Sequence, residues 1–445
     1  YTTFLKGDAR EESYYQYLAK LVYDISVSIG YAAVSITTLP KKTDAGNPDF
    51  RVWDGESSVI GYIEAKDPIH NNLNTIEKSE QLQRYIVTFP NVILTNFYEF
   101  RLYRNGKRFD SVTLSKNYDV AFHLEAKPSV ENEDKLYDFF QKFLSFNIPK
   151  IITAKELARE LAKRTRFLKD EVISTELYNI ADKHQQKLNG FYEAFRKYLI
   201  HDLSVEQFAD LYAQTITYGL FIARMRSKED FNRRLAYNYI PQTIGILYDI
   251  FKFISLEETS DPMKVIIDDI AEVLRVTDVD TMLLNYNDHG KNNDPILHFY
   301  ETFLNEYDPG LREKRGVYYT PQPVVKYIVD SVHTVLQSSF GLGDGLASSN
   351  VTLLDPAAGT LTFPAEATKK AVQYFIATYG DGGVSNYIKT HILKNFYAFE
   401  LMMAPYVIGH LKMSFVFEEF GYILTNDERF KLYLTNSLEM EDYEG

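Results

Sequence analysis

The stretch NPDFRVWDGESSVIGYIEAK, residues 47–66, decides the fold expected for the N-terminal part of this 445-residue chain. It predicts two β-strands, at 50–54 and 58–66, because short β-rich runs flank a group of turn residues. Asp54-Gly55 is a strong signal for a tight turn, since glycine accepts the positive φ that hairpin turns require. We therefore expect an antiparallel hairpin within an α/β domain.

This hairpin carries a candidate metal site. Alternation along the second strand directs four side chains to one face: Ile60, Tyr62, Glu64 and Lys66. Asp49, just before the first strand, can approach Glu64, and a few hard oxygen ligands suit Mg²⁺. We expect Asp49 and Glu64 to bind Mg²⁺, with the carbonyl of Ala65 as a third ligand. Lys66 would orient or activate a metal-bound water that attacks a phosphodiester.

Flanking segments are expected to complete the site. The stretch REESYYQYLAKLV (10–22) has the apolar spacing of a helix, and Glu11 lies on its apolar face. An inward carboxylate requires a reason to be there, so we expect Glu11 to support the metal. The stretch SEQLQRYIV (79–87) predicts a second helix, which contributes Gln81 to the candidate catalytic set. Two more strands are predicted within 91–106.

Pro48-Asp49 and Glu64-Ala65-Lys66 together resemble the signature of PD-(D/E)XK nucleases. The order helix, hairpin, helix, strands is also the order of that nuclease core. The resemblance implies a Mg²⁺-dependent nuclease domain over residues 1–128. A surface hairpin with a Glu/Lys pair on one face is the alternative interpretation of the same residues.

Composition limits the class of protein. The chain has 48 Lys and Arg against 61 Asp and Glu, a net charge of −13, which argues against a simple basic nucleic-acid binder. It has no cysteine, which excludes disulfides and thiolate zinc sites and fits a reducing cytosol. No apolar run is long enough to span a membrane, so we expect no membrane partner.

Residues 129–310 are predicted to form an α-helical connector. Ser204 and Gln207 match a capping box, and the stretch 204–226 that they open is apolar around most of its circumference, as in a buried helix. The most basic run, 150–169, predicts either a solvated helix or a DNA-facing surface.

A second candidate site follows in VTLLDPAAGTLTFPAEATKKAV (351–372), which predicts a strand, a glycine-containing loop and a helix. Asp355 ends the strand and Gly359 makes the turn, at the place where open α/β sheets bind ligands. Glu400 ends a second predicted strand, where an acid can accept hydrogen bonds from ribose hydroxyls. An ordinary connection between strand and helix is the alternative interpretation.

Residues 311–445 resemble the S-adenosylmethionine-binding half of gamma-class N6-adenine DNA methyltransferases, a Rossmann-like fold. Tyr319-Thr320-Pro321 matches motif X, the stretch DPAAGT (355–360) matches motif I, and Glu400 matches the acid of motif II. The resemblance implies that S-adenosylmethionine is bound by Thr320, Asp355, Ala357, Gly359, Thr360, Glu400, Leu401 and Asn436. Leu361 departs from the pattern, because the family often has a second glycine there. The catalytic motif IV, Asn/Asp-Pro-Pro-aromatic, is missing from the sequence.

Nuclease, helical connector and methyltransferase, in that order, resemble type IIG enzymes, including type IIL, which combine restriction with modification. The absence of a GxxxxGK[ST] motif argues against the related type ISP arrangement, which carries a motor. The resemblance implies an α/β multidomain protein of the bacterial or archaeal cytoplasm that cleaves double-stranded DNA and methylates adenine at one site. It also implies dimerisation for double-strand cleavage and a C-terminal remainder with motif IV and target recognition.

Two other functions stay open at this stage. One is a DNA adenine methyltransferase of a phage-defence system whose nuclease-like domain is only a DNA-binding module. The other is a scaffold that binds the cofactor without catalysing a reaction.

Overall fold

The structure is a computed structural model in which part of the chain is described. The described residues are 3, 9–31, 34–39, 48–55, 59–68, 72–115, 129–146, 153–178, 183–198, 200, 202–227, 231–240, 245–256, 259–279, 281–282, 295–308, 310, 320–425 and 428–438. The chain divides into two compact units. The first comprises Tyr1–Lys150 and Ser260–Val276, and the second Ile151–Thr259 and Thr277–Gly445.

The first unit is built on a six-stranded sheet whose strands follow one another in chain order. The strands are β1 (Ser35–Thr38), β2 (Phe50–Trp53), β3 (Val59–Ala65), β4 (Asn91–Thr95), β5 (Glu99–Arg104) and β6 (Lys107–Thr113). Only β3 and β4 pair in parallel, and the other neighbours are antiparallel. The predicted hairpin is therefore confirmed as β2 and β3, although residues 56–58 of its connection lie outside the described part.

One side chain of the hairpin differs from the simple alternation. Ile60 packs in the same apolar core as Ile63 and Ala65 rather than lying with Tyr62 and Glu64. The register of β2 against β3 shifts between Val52 and Trp53, so the alternation is broken at this point. Beyond the shift, from Gly61 onward, the expected alternation holds.

Helices cover the sheet of the first unit. A short 3₁₀ turn, Glu11–Tyr14, leads into α1 (Tyr15–Ser28), and α2 (Leu73–Glu77), α3 (Glu80–Thr88), α4 (Glu133–Leu144) and α11 (Asp261–Arg275) follow. The apolar faces of α1 and α4 form one core with the sheet, which includes Leu18, Val22, Phe50, Val52, Phe139 and Phe140. Together these contacts hold β2 and β3, and with them the predicted metal site, in the interior of the unit.

Gly61 allows β3 to lie close to α4. A Cβ atom at this position would lie 2.5 Å from the carbonyl oxygen of Asn91 and 2.7 Å from a ring carbon of Phe143. The side-chain amide of Asn91 donates to the carbonyls of Ile60 and Phe143, at 2.9 and 3.0 Å, which fixes that approach.

Replacing Gly61 by alanine should lower the free energy of unfolding by about 1–3 kcal/mol, because backbone and ring must move to admit a methyl group. Gly190, in a helix of the second unit, serves as the control, because no atom lies within 4 Å of the place that an added methyl group would take. Denaturant unfolding of both variants would check this expectation. Equal stability of Gly61→Ala and Gly190→Ala would contradict it.

The first part of the second unit is helical. Its helices are α5 (Ala154–Phe167), a π-helical segment (Leu168–Ile173), α6 (Ser174–Tyr178), α7 (Lys183–Tyr198), α8 (Val205–Arg226), α9 (Arg233–Ala236) with a 3₁₀ turn (Tyr237–Tyr239), α10 (Gly245–Leu256) and α12 (Pro295–Tyr307). Ser204 and Gln207 form the predicted capping box at the start of α8. Every residue of α8 from Phe208 to Ala223 is buried, which confirms the prediction of a buried helix.

The basic run on α5 makes contacts within the second unit. Arg164 is fully buried and pairs with Glu160 at 2.8 Å. Arg166 donates to the carbonyl oxygens of Glu306 and Tyr307 at 2.8 and 2.7 Å. These two cations stabilise the packing of helices, and neither is directed to a free surface.

The remainder of the second unit is an α/β layer. Its elements are α13 (Gln322–Phe340), a 3₁₀ turn (Gly345–Ala347), β7 (Leu353–Asp355), α14 (Thr362–Tyr379), α15 (Val384–Tyr387), a π-helical segment (Ile388–Ile392), α16 (Leu393–Asn395), β8 (Phe396–Glu400), α17 (Met403–Glu419) and β9 (Lys431–Leu434). The three strands are parallel, in the order β7-β8-β9. The predicted strands before Asp355 and Glu400 are thereby confirmed. Within the described residues no helix is long and apolar enough to cross a membrane.

Candidate functional site

The first candidate site lies at the end of the β2–β3 hairpin. The register pairs Phe50 with Ile63, so the next positions along the two strands, Asp49 and Glu64, face each other. Both side chains are buried, with 0% and 2% of their surface exposed. Asp49 Oδ2 accepts a hydrogen bond from the amide of Ala65 at 2.7 Å, and the ammonium of Lys66 donates to Glu64 Oε1. The structure thus brings Asp49, Glu64 and Lys66 together.

Tyr15 links Asp49 to Glu11. Its hydroxyl lies 2.5 Å from Asp49 Oδ1 and 2.9 Å from Glu11 Oε1, so it can donate to either carboxylate. Burial, followed by the charges of Asp49 and Glu11, raises the pKa of Tyr15, so the hydroxyl keeps its proton. The sequence interpretation missed Tyr15, although its position four residues after Glu11 on one helix face was an available signal.

Lys66 is an ammonium in this environment. Burial acts to lower its pKa, but the charges of Glu64, Asp49 and Glu11 together outweigh burial and raise it. All three carboxylates therefore act on the same cation. A lysine that holds its proton can orient a water or stabilise developing negative charge, and it is a poor proton acceptor.

The donor set fits a hard divalent cation that keeps most of its waters. Among the described residues, no group of three or more His, Cys, Asp and Glu side chains could hold a metal. Mg²⁺ usually binds through one or two carboxylates and completes its shell with water. Asp49 and Glu64, buried and opposite each other, meet that requirement, and Ala65 supplies the adjacent backbone.

Gln81 has a different immediate environment. Its side chain is exposed, and its amide donates to the hydroxyl of Tyr85, one turn further along α3, at 2.9 Å. Its membership of the catalytic set stays a prediction.

The second candidate site is the loop between β7 and α14. Asp355 ends β7, and its Oδ1 accepts a hydrogen bond from the amide of Ala357 at 3.2 Å. The amide of Ala358 donates to the carbonyl of Phe399 at 3.0 Å, which ties the loop to β8. Gly359 has a φ of +54°, a conformation that suits glycine and lets backbone approach a ligand closely.

Glu400 fastens this loop from the end of β8. Its Oε2 accepts from the amide of Gly359 at 2.8 Å, and its Oε1 accepts from the amide of Met402 at 2.7 Å. Burial raises the pKa of Glu400 and outweighs the opposing effect of these amides, and the charge of Asp355 raises it further. The two acids thus lie within electrostatic reach at the carboxyl ends of adjacent parallel strands. Burial also raises the pKa of Asp355.

The other predicted cofactor residues differ in their surroundings, and their role in binding the cofactor stays a prediction. Thr320 precedes α13. The side chain of Gln322, at the start of α13, donates to Glu366 of α14 at 2.7 Å. Tyr319 lies outside the described residues. The amide of Thr435 donates to the carbonyl of Glu400 at 2.9 Å, which places Asn436 directly after β9. Asn436 Oδ1 accepts from the amide of Leu438. Of the remaining three, Thr360 is buried, Ala357 is exposed and Leu401 is 37% exposed.

Leu361 explains how the loop tolerates a residue other than glycine. It adopts a φ of +60°, and its side chain is fully buried. A Cβ atom on Gly409 of α17 would lie 2.8 Å from Leu361 Cγ and 3.1 Å from Leu432 Cδ2. Helix α17 therefore has a glycine, Gly409, at the position that contacts the Leu361 side chain, which leaves room for that side chain.

Gly409→Ala should lower the free energy of unfolding by about 1–3 kcal/mol through overpacking. The same substitution in a Leu361→Gly background should cost much less, because the side chain that the new methyl group meets is gone. A double-mutant cycle by denaturant unfolding would measure this coupling. The same cost in both backgrounds would show that Leu361 and Gly409 do not depend on each other.

Comparison with known proteins identifies the class of the C-terminal part. Residues 291–413 match the family described as N-6 DNA Methylase. The chain therefore contains an N6 DNA methyltransferase domain, and this family uses S-adenosylmethionine. No curated protein matches the chain.

Several solved structures share a distant likeness with the chain. The cryo-electron microscopy structure of a DrdV–DNA complex has 20% identity and a TM-score of 0.44, over 97% of this chain and 38% of that one. A nuclease-deletion mutant of the type ISP enzyme LlaGI, with a DNA substrate mimic, has 19% identity and a TM-score of 0.45, over 70% of this chain and 24% of that one. The type IIG restriction endonuclease BpuSI has 11% identity and a TM-score of 0.25, over 96% of this chain and 42% of that one. The chain spans less than half the length of each, and likenesses at this level do not establish a function.

Proposed function

We propose that the protein is a restriction–modification enzyme that cleaves DNA with Mg²⁺ and methylates adenine at N6 with S-adenosylmethionine. The observation that supports it best is the pairing of two sites in one chain. A buried pair of opposed carboxylates, Asp49 and Glu64, is joined by the Lys66 ammonium in the first unit. The second unit contains the N6 DNA methyltransferase domain.

In the proposed nuclease site, Asp49, Glu64 and the carbonyl of Ala65 would hold Mg²⁺. When bound, the ion lowers the pKa of a coordinated water and polarises the phosphodiester. Lys66, held as an ammonium by three carboxylates, orients the attacking water and stabilises the developing negative charge. The Tyr15 hydroxyl lies between Asp49 and Glu11 and donates its one proton to either carboxylate.

The burial of these carboxylates favours a functional role over a surface hairpin. A charge removed from water is costly unless it is paired and hydrogen-bonded. Here Asp49 is held by Tyr15 and the Ala65 amide, and Glu64 is held by Lys66. These partners offset the cost of removing the two carboxylates from water.

In the methyltransferase domain, the strand ends would hold S-adenosylmethionine. Gly359 would let the loop backbone approach the methionine part of the cofactor, and Thr320 would contact the same end. Glu400 retains free lone pairs after accepting from two amides, because an ionised carboxylate has about four acceptor positions. Ribose hydroxyls can donate to those positions. The adenine to be methylated would have to be flipped out of the duplex.

Incubation of the protein with supercoiled plasmid DNA tests the nuclease half of the proposal. We expect Mg²⁺-dependent conversion to nicked and linear forms and no conversion when the metal is removed with a chelator. Absence of nicking in Mg²⁺ would contradict the nuclease half of the proposal.

A further inference from the structure

Helix α11 belongs to the first unit although it follows that unit's other helices by more than a hundred residues. The chain enters α11 from the second unit and returns to it directly afterwards. At this return, the carbonyl of Thr277 accepts a hydrogen bond from Arg224 of α8 at 3.3 Å, within the second unit. The first unit is therefore complete only when this distant segment packs into it.

Two adjacent aspartates of α11 contact the β2–β3 hairpin. Asp268 Oδ2 lies 3.2 Å from Nη1 of Arg51, and Asp269 Oδ1 accepts from the hydroxyl of Tyr62 at 3.2 Å. Tyr62 and Asp269 are both only 1% exposed. The tyrosine contact is thus a buried hydrogen bond, whose loss costs more than that of an exposed ion pair.

These contacts are made next to the predicted metal ligands. Arg51 and Tyr62 are direct partners in the register of β2 and β3. Asp49 and Glu64 lie two residues away on the same strands, on the same face, at a distance of roughly 6–7 Å along the sheet. The aspartates of α11 therefore bind Arg51 and Tyr62, the residue pair next to the two carboxylates.

The contacts of α11 lie beside an irregularity in the hairpin. The ladder between β2 and β3 is interrupted just beyond Arg51, where the register shifts between Val52 and Trp53. A shift of this kind disrupts the local hydrogen-bond ladder, so side-chain contacts beside it add to what holds the two strands together. Arg51 also lies over the ring of Trp53, with its guanidinium carbon 4.3 Å from the ring centre.

We propose that Asp268 and Asp269 of α11 are positioning residues for the nuclease site. They hold Arg51 and Tyr62 in the register that keeps Asp49 opposite Glu64. This inference rests on the proposed nuclease function and adds a condition to it. Cleavage by the first unit would then depend on α11, a helix whose preceding and following residues belong to the second unit.

The test uses the full chain with Asp269→Ala and Asp269→Asn. Alanine removes the acceptor for the Tyr62 hydroxyl, whereas asparagine keeps an oxygen there. We expect Asp269→Ala to raise the Mg²⁺ concentration that gives half-maximal plasmid nicking by about tenfold. This value is the lower end of the losses that follow when a residue that orients a metal ligand is removed. Asparagine should stay close to the wild-type protein. Lys264→Ala, on the same helix with Asp261 as its partner, is the control.

A second measurement does not depend on activity. Hydrogen–deuterium exchange of residues 59–66 should be faster in Asp269→Ala than in Asp269→Asn or Lys264→Ala. Exchanging the charges, with Arg51→Asp and Asp268→Arg together, should restore Mg²⁺ dependence lost in either single variant.

The outcomes separate this inference from the proposed function. A wild-type protein that nicks DNA, with the same Mg²⁺ dependence in Asp269→Ala, would overturn the role of α11 and leave the nuclease intact. Absence of nicking by the wild-type protein would overturn the nuclease assignment. Hydrogen–deuterium exchange would then be the measurement that tests the role of α11. Unchanged exchange over residues 59–66 would contradict the positioning role in either case.

Discussion

Replacing Glu64 by glutamine should reduce Mg²⁺-dependent DNA cleavage by about 10²–10⁴-fold, the range typical for a group that acts at the transition state. Glutamine keeps the shape of the side chain but removes the charge. In the proposed site that charge would bind the cation, and it raises the pKa of Lys66. Lys66→Ala should cause a loss of the same order, because the attacking water would no longer be oriented. Rates of plasmid nicking under saturating Mg²⁺ give the measurement.

Lys20 supplies a matched control for Lys66. It also pairs with an acid, Asp24 at 2.7 Å, but both side chains are more than half exposed. An exposed pair contributes little, so Lys20→Ala should cleave DNA as the wild-type protein does. Cleavage by Lys66→Ala at the wild-type rate would refute the nuclease assignment.

Replacing Glu400 by alanine should weaken S-adenosylmethionine binding roughly ten- to a hundredfold. Hydrogen bonds to a charged group contribute about 1.5–3 kcal/mol, which corresponds to that change in the dissociation constant. The substitution also removes the acceptor of the Gly359 amide, so the loop after β7 loses an anchor. Isothermal titration calorimetry with S-adenosylmethionine would measure both contributions together.

Two further variants separate these contributions. Glu400→Gln keeps an oxygen that can accept from one amide, so it should bind more tightly than Glu400→Ala. Glu418, on the exposed end of α17, provides a control carboxylate. Unchanged affinity in Glu400→Ala would show that the ribose is held elsewhere.

Local patterns predicted the elements that carry both sites. The hairpin follows from turn residues and β-rich runs, and the register then brings Asp49 opposite Glu64 without further information. The strand, loop and helix after residue 351 follow equally from local composition, because Asp355 and Gly359 mark the end of a β-strand and the turn before a helix. The domain boundaries at 128 and 310 stay predictions.

Long-range packing lay beyond the sequence patterns. Tyr15 meets Asp49 across 34 positions of the chain, and α11 returns to the hairpin across more than 200, as the Asp268–Arg51 pair shows. No spacing of residues within a single helix or strand could have indicated either contact. The buried environment of the Leu361 side chain also could not be predicted from its own position, because the space for that side chain lies beside Gly409 of α17.

We propose that one chain holds a metal-dependent nuclease site at Glu64 and a separate cofactor site at Glu400. The most direct measurement assays Glu64→Gln in parallel with the wild-type protein for plasmid nicking in Mg²⁺ and for S-adenosylmethionine affinity by calorimetry. We predict that Glu64→Gln loses nicking and binds the cofactor with unchanged affinity. Undiminished nicking by Glu64→Gln would contradict the claim.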